Sequence, residues 1–319
     1  MFCHTMKDLS ILFLGASKRV SLLERFADAA NALGIQLRLF SCERDDRFCP
    51  ISHLATIMGG PSFLNPEFHS WLEGTLASNH INVVIPNMDS ATVALSRYAS
   101  QHARNADYWP VISSRDICEA MFDKILAREL FLAGGLPVPP DTKDKYPKIA
   151  KPRFGFGGKG IRVLQSSAER DACVSSAESY LIEDLIFPAV ETTVDLYFSP
   201  RLGMIGYVLR DRLEVSDGEV MVCRTRPARS SEKLLIERVA SMPGWEGCIT
   251  LQYLTDTDGR EYVIEINPRF GGGCTCAIEA GLNMPFYLMA EAADLEFAPP
   301  QEVKSVLMTR ARRDFFCEC

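Results

Sequence analysis

The chain has 319 residues, 47% hydrophobic and 24% charged, with a formal net charge of −7 and a mean hydropathy of +0.01. These proportions are globular and exclude collagenous, low-complexity and disordered chains, and the length suffices for two or three structural units. The acidic balance gives no general attraction to nucleic acid or anionic membranes, and no run reaches the roughly 18 apolar residues of a membrane span. ILFLGA near the start is too short for that and reads as a buried strand, and no secretory signal is expected. Eleven cysteines without a signal fit reduced thiols in a cytoplasm. Two C-x-C pairs, Cys274/Cys276 and Cys317/Cys319, lack the His partners of a zinc site, and His4, His53, His69, His80 and His102 all precede the motif-bearing segments.

In chain order, LSILFL at 9–14 has strand length and ends at Gly15-Ala16-Ser17. A helical pattern follows with Val20, Leu22, Leu23, Phe26 and Ala30 on one side and Gly34 as its stop; IQLRLF then alternates as a half-buried strand. This β-α-β opening predicts a right-handed crossover into a parallel sheet. INVVIP at 81–86 predicts another strand, followed by a helix with Ser90 as N-cap. Residues 1–113 thus read as a small α/β domain. Ser113 or Ser114 caps the next predicted helix, DICEAMFDKILARELFLAGG, and a Pro- and Lys-rich connector runs over 136–147. Beyond it, strands are predicted at KIAKPR, GIRVLQ, 179–183, 190–199, 203–210, 249–255 and 260–266, with a helix near 231–241.

Three segments carry chemistry. Lys151 to Gly160 (KPRFGFGGKG) places four glycines between two strands, so its backbone N–H groups can approach an anion closely. Lys151 and Lys159 add positive charge suited to phosphate oxygens, but the flanks match neither a Walker loop nor a dinucleotide fingerprint. A flexible surface hairpin is the alternative. In EYVIEINPRFGGG at 261–273, period-two alternation assigns Tyr262, Ile264 and Ile266 to one face and Val263, Glu265 and Asn267 to the other. An acid and an amide pointing the same way are hard oxygen ligands for Mg²⁺. Arg269 can meet a phosphoryl or carboxylate group bidentately, and Gly271–Gly273 lead into a helix N-terminus of positive potential. If the preceding hairpin turns at Asp256–Gly259, Gln252 falls opposite Glu265 and offers a third oxygen. In LIEDLIFPAVETTVDLYF at 181–198, an acidic strand end and a Pro-containing link can face an adenine edge, with Glu191 accepting from ribose hydroxyls.

Taken in order, FDK (122–124), KPRFGFGGKGI (151–161), LIEDLI (181–186), ETTVDLYF (191–198) and YVIEINPRFGGG (262–273) resemble the ATP-grasp superfamily. The likeness is to its carbamoyl-phosphate-synthase-like carboxylate–amine ligases, and GYVLRDRLEVSDGE with CRTRP at 206–227 adds to it. The resemblance implies two α+β subdomains clasping ATP, preceded by a small Rossmann-like parallel α/β domain, with divisions at 1–113, 114–185 and 186–319. It also implies site roles. Lys124 and Lys151 would hold the α/β-phosphates under a loop containing Gly155, Gly157, Gly158, Lys159 and Gly160. Glu183, Asp184 and Ile186 would line the adenine pocket, partly through their backbone, and Glu191 would bind ribose. Gln252, Glu265 and Asn267 would hold one or two Mg²⁺ ions, with Mn²⁺ as a substitute; Gln252 replaces the acid of many members. Arg269 would stabilise the transferring phosphoryl group, and Arg210 would face the acceptor carboxylate. Lys151, Arg210 and Arg269 are then the catalytic set.

The implied reaction is ATP-dependent amide formation from a small carboxylic acid and an amine, amino acids among them, through an acylphosphate, in a cytoplasmic protein. A small-molecule kinase and a catalytically silent nucleotide-binding subunit are the alternatives, and homodimers are common among similar proteins. For the acceptor, Ser17, Lys18, Arg19, Asn87 and Asp89 lie at strand ends. Lys18 and Arg19 could meet an acid or form a solvated first turn, and Asp89 could meet an ammonium group or begin a helix. Arg224, Arg226 and Arg229 form a basic cluster that faces either an anionic substrate or water.

Overall fold

The computed structural model describes residues 7–47, 49–102, 108–155, 157–175, 179–216 and 218–315. Its first sheet is parallel: β1 (Lys7–Leu14), β2 (Ile35–Glu43), β3 (Thr56–Gly59), β4 (Val83–Pro86) and β5 (Trp109–Pro110), in the order β3-β2-β1-β4-β5. Three helices connect them, α1 (Val20–Leu33), α2 (Phe68–Asn79) and α3 (Asp89–Ala99). Gly34, at φ 64°, ends α1 in the left-handed conformation that glycine adopts without steric cost. After β1 the chain pairs β2 on one side and later β4 on the other. A crevice therefore opens at the carboxyl ends of β1 and β4, where Gly15 and Asn87 stand.

The helix expected after Ser114 is two helices, α4 (Arg115–Phe122) and α5 (Lys124–Ala133). Ser114 caps the first. Asp123 breaks the run: it is extended, its carboxylate accepts from the Ile125 and Leu126 amides, and Arg153 pairs with it at 2.5 Å. A side chain that can cap a new helix competes with continuing the old one. The break puts Lys124 at the start of α5. A three-stranded antiparallel sheet follows, of β6 (Lys148–Pro152), β7 (Arg162–Leu164) and β8 (Tyr180–Asp184) in the order β7-β6-β8, with α6 (Ser167–Val174) between β7 and β8.

The largest sheet contains β9 (Ala189–Ser199), β10 (Gly203–Ser216), β11 (Glu219–Arg226), β12 (Gly247–Asp256), β13 (Glu261–Asn267) and β14 (Leu307–Thr309). Their order is β13-β12-β9-β10-β11-β14, all antiparallel. Helices α7 (Ser230–Ser241), α8 (Cys274–Glu279) and α9 (Met284–Ala292) complete it. Cys274 and Cys276 are buried there; Cys317, Cys319 and His4 lie outside the described residues. One hydrophobic core joins this sheet to the first: Phe13, Leu23 and Phe26 pack with Phe270, Ala277, Leu288 and Met289. Truncating a buried Phe such as Phe26 to Ala would cost about 3–5 kcal/mol. This core holds the crevice of the first sheet against the turn that follows β13.

Candidate active site

β12 and β13 pair with Gln252 opposite Glu265, as the hairpin turn predicts. The alternation along β13, however, is interrupted. The register moves from Gln252↔Glu265 to Tyr253↔Val263, so Ile264 is an extra residue, a β-bulge. The expected two faces are corrected accordingly: Val263 and Ile266 enter the core, whereas Ile264, Glu265 and Asn267 line a cavity of about 390 Å³.

That cavity gathers residues from five strands, β11 supplying Glu219 and Val220, and from two glycine segments. Glu191 and Thr193 come from β9, Arg210 and Arg212 from β10, Thr250 and Gln252 from β12, and Glu265 and Asn267 from β13. Arg269, Gly271–Gly273, Gly157, Gly158 and Asp89 close it. Gly157 of the glycine loop lies against Gly218, just before β11: a Cβ on Gly218 would stand 3.0 Å from the Gly157 carbonyl oxygen. Lys124 Nζ donates to the Gly155 carbonyl at 2.8 Å and ties the same loop to α5. Next to the cavity, sharing Glu265 and Ile264 with it, is a narrow cleft lined by Lys124, Arg128 and Glu183. There Lys151 Nζ donates to Glu183 at 2.8 Å.

Charges inside are paired with one exception. Arg269 Nε donates to Asp89 Oδ1 at 2.6 Å, and Arg210 Nε donates to Asp195 Oδ2 at 2.7 Å. Burial opposes the charge of both arginines, but their carboxylate partners prevail and hold each guanidinium firmly protonated. Glu191 is gripped by Arg212 and accepts from Gln252 Nε2 at 2.8 Å. Glu265 has no ion pair among the described residues. Burial, with Asp89 nearby, pushes its carboxyl above the usual range, partly offset by Arg269 and Lys124. Two of the three glycines are required by space: a Cβ on Gly273 would lie 2.6 Å from Arg210 Nη1, and one on Gly271 2.8 Å from Thr250 Oγ1.

Residues 179–314 match the model of a family described as ATP-grasp in the biosynthetic pathway with Ter operon. N5-carboxyaminoimidazole synthetase from Staphylococcus aureus, solved with ADP, has a TM-score of 0.75 at 16% identity, covering 97% of this chain and 84% of that one. The biotin carboxylase domain of Hydrogenobacter thermophilus 2-oxoglutarate carboxylase, a dimer solved with MgADP and bicarbonate, has a TM-score of 0.72 at 17% identity, covering 94% and 74%. The chain has the fold of these two enzymes, and its residues 179–314 carry the match to an ATP-grasp family. Pyruvate carboxylase of Aspergillus niger is 29% identical to this chain over 236 residues, 63% of the chain and 19% of that protein. The mitochondrial enzyme of Rattus norvegicus is 25% identical over 188 residues, 49% and 16%. The chain thus spans less than a fifth of the length of either carboxylase.

Among the residues expected in an ATP-grasp site, Gly157, Gly158, Glu191, Arg210, Gln252, Glu265, Asn267 and Arg269 share the cavity, and Lys124 and Glu183 share the cleft beside it. Lys159, Gly160 and Ile186 line neither opening. Asp184 lines neither as well; it is fully buried, bound to Lys148 Nζ at 2.8 Å, with its amide donating to Pro140. Ser90 is not a cap: α3 starts at Asp89, Met88 holds the N-cap position, and the Asp89 carboxylate turns to Arg269 instead. Arg19 is no solvated first-turn residue, since it donates to the Phe270 and Gly271 carbonyls at 2.9 and 2.8 Å. Arg226 and Arg229 leave the cavity to clamp the buried Glu232, and Arg224 is exposed. Sequence reading missed Arg212, Thr193, Thr250 and Glu219. Arg212 and Thr193 stood two residues from Arg210 and Glu191, a spacing that puts them on the same strand faces. Nothing local marked Thr250 or Glu219. No described histidine lines the cavity.

Proposed function

We propose that this chain is an ATP-dependent carboxylate–amine ligase, cytoplasmic, divided at 1–113, 114–185 and 186–319. It would join a small acid to an amine, amino acids among the candidates, with release of ADP and phosphate. The observation that carries the reading is the single cavity in which a glycine loop, a half-buried carboxylate free of ion pairs and three arginines meet. The Hydrogenobacter domain's dimer makes a homodimer the assembly to look for.

The donor set suits a hard divalent cation. Glu265, Asn267 and Gln252 offer oxygens, and burial with Asp89 nearby raises the Glu265 carboxyl, an unfavourable charge that a bound cation would offset. These three would hold one or two Mg²⁺ ions, or Mn²⁺, and a bound cation would neutralise triphosphate charge. Lys151 and Lys124 would address the phosphates beneath the Gly155–Gly160 loop. Glu183, Asp184 and Ile186 would serve the adenine, Asp184 only through its carbonyl, and Glu191 the ribose. Arg210 and Arg269 would orient the acid so that a carboxylate oxygen attacks the γ-phosphorus and the bond to the β-bridging oxygen breaks. Such transfer needs positioning and charge neutralisation rather than a protein nucleophile. The amine nitrogen then attacks the acyl carbon of the acylphosphate, phosphate leaves, and the nitrogen loses its proton. The glycine loop, seated on Gly218, keeps water from that intermediate.

An ADP-release assay over a panel of acids, each with and without amines, tests this. Release that needs both partners supports the ligase. A stable phosphorylated acid made without amine indicates a kinase, and nucleotide binding with no release under any pairing indicates a silent subunit.

A further inference from the structure

The Glu183 side chain on β8 is 3% exposed, and among the described residues two cations pair with it. They do not share an atom: Lys151 Nζ donates to Oε2 at 2.8 Å and Arg128 Nε to Oε1 at 3.3 Å. Arg128 stands one turn after Lys124 on α5, so one helix face sends one cation to the Gly155 carbonyl and the next to Glu183. The guanidinium also has an anchor outside the pair, Nη2 donating to the Pro139 carbonyl at 3.2 Å. Lys151 has no second side-chain partner among the described residues, and its strand β6 leads directly into the glycine loop. Two cations against one carboxylate leave this trio one positive charge in surplus.

We propose, resting on the nucleotide reading above, that Arg128 is a positioning residue: it keeps Glu183 neutralised, so that Lys151 is released to the phosphates of the nucleotide. Were Lys151 the only cation, a phosphate drawing it away would strand an enclosed carboxylate, which is the costly way to break a buried pair. The division of labour follows from the two side chains. An ammonium on a flexible stem can turn between acceptors, whereas a guanidinium held at two points stays where it is. Arg128 thereby acts on the nucleotide through Glu183 and Lys151 and does not touch it.

Titration calorimetry with MgADP on the full chain, in wild type, Arg128→Met, Glu183→Gln and the double variant, tests this. Arg128→Met should bind about tenfold or more weakly than wild type. In the Glu183→Gln background the same change should alter affinity by less than about twofold, because a neutral amide needs no counter-charge. An equal loss in both backgrounds overturns the proposal, since Arg128 would then meet the nucleotide itself, and so does no loss in either. Arg128→Met should fold, because Lys151 still pairs with Glu183 in the free chain; a variant that does not fold makes Arg128 a structural tie and overturns the proposal. Loss of all binding in Glu183→Gln also overturns it, because the nucleotide would then need the carboxylate rather than its neutralisation. Wild-type chain that binds no MgADP sinks the nucleotide reading and this proposal together, whereas wild-type binding with an uncoupled cycle sinks this proposal alone.

Discussion

Asp195→Asn removes the counter-charge of a buried arginine. The Arg210 and Asp195 side chains are 3% and 2% exposed and meet at 2.7 Å. At an effective dielectric constant of about 20, two unit charges at that separation attract by about 6 kcal/mol. Desolvation of the two ions offsets most of this, so the intact pair contributes little net stability. Removing one partner is different, because the other stays buried and uncompensated, at a cost of about 3–5 kcal/mol. Asparagine keeps the shape and one acceptor, which places the expected loss near the lower end. The consequence is a melting temperature lower by on the order of 10 °C, read by differential scanning calorimetry. Asp195→Leu combined with Arg210→Met should recover most of that loss while lacking ATP turnover, since an apolar pair carries no stranded charge. A single variant melting within roughly 2 °C of wild type, or a double variant no better than the single, would refute the reasoning.

Three further outcomes follow from the cavity. The Glu265 carboxyl is held above its ordinary value of 4.5, so folding is favoured while it is protonated and loses that contribution as pH rises through the raised value. Glu265→Gln should therefore gain stability relative to wild type above pH 4.5 and lose Mg²⁺-dependent ATP turnover; a variant that still turns over ATP contradicts the assigned role. Gly273→Ala forces Arg210 to move and should abolish turnover, whereas Gly272→Ala meets nothing closer than 3.9 Å and should leave the fold and ADP affinity intact. The ranking of the two in a steady-state assay decides that point. Asp89, Glu191, Glu219 and Glu265 outnumber Arg210, Arg212 and Arg269 in the cavity, so EDTA should weaken ADP binding about tenfold or more, read by calorimetry. Equal affinity with and without the chelator would argue against a metal-dependent site.

Much of this protein was legible from local pattern. The parallel opening, the hairpin that sets Gln252 against Glu265 and the glycine loop between two strands all follow from period, turn chemistry and segment length. Those rules act between residues close in sequence, so they report which atoms stand on which element. They did not reveal the bulge at Ile264, because an extra residue is tolerated only when the partner strand and the core beneath it accept Val263 and Ile266 together. Nor did they reveal how the charges pair. Asp89 reads as a helix start, Arg19 as a first-turn residue and Asp184 as part of an adenine edge until folding brings Arg269, Phe270 and Lys148 beside them. Sequence determined the chemical groups and their order. The tertiary structure alone decided their partners, because a buried charge or carbonyl must be satisfied by whatever the packing places next to it, and here those partners lie 36 to 251 residues away.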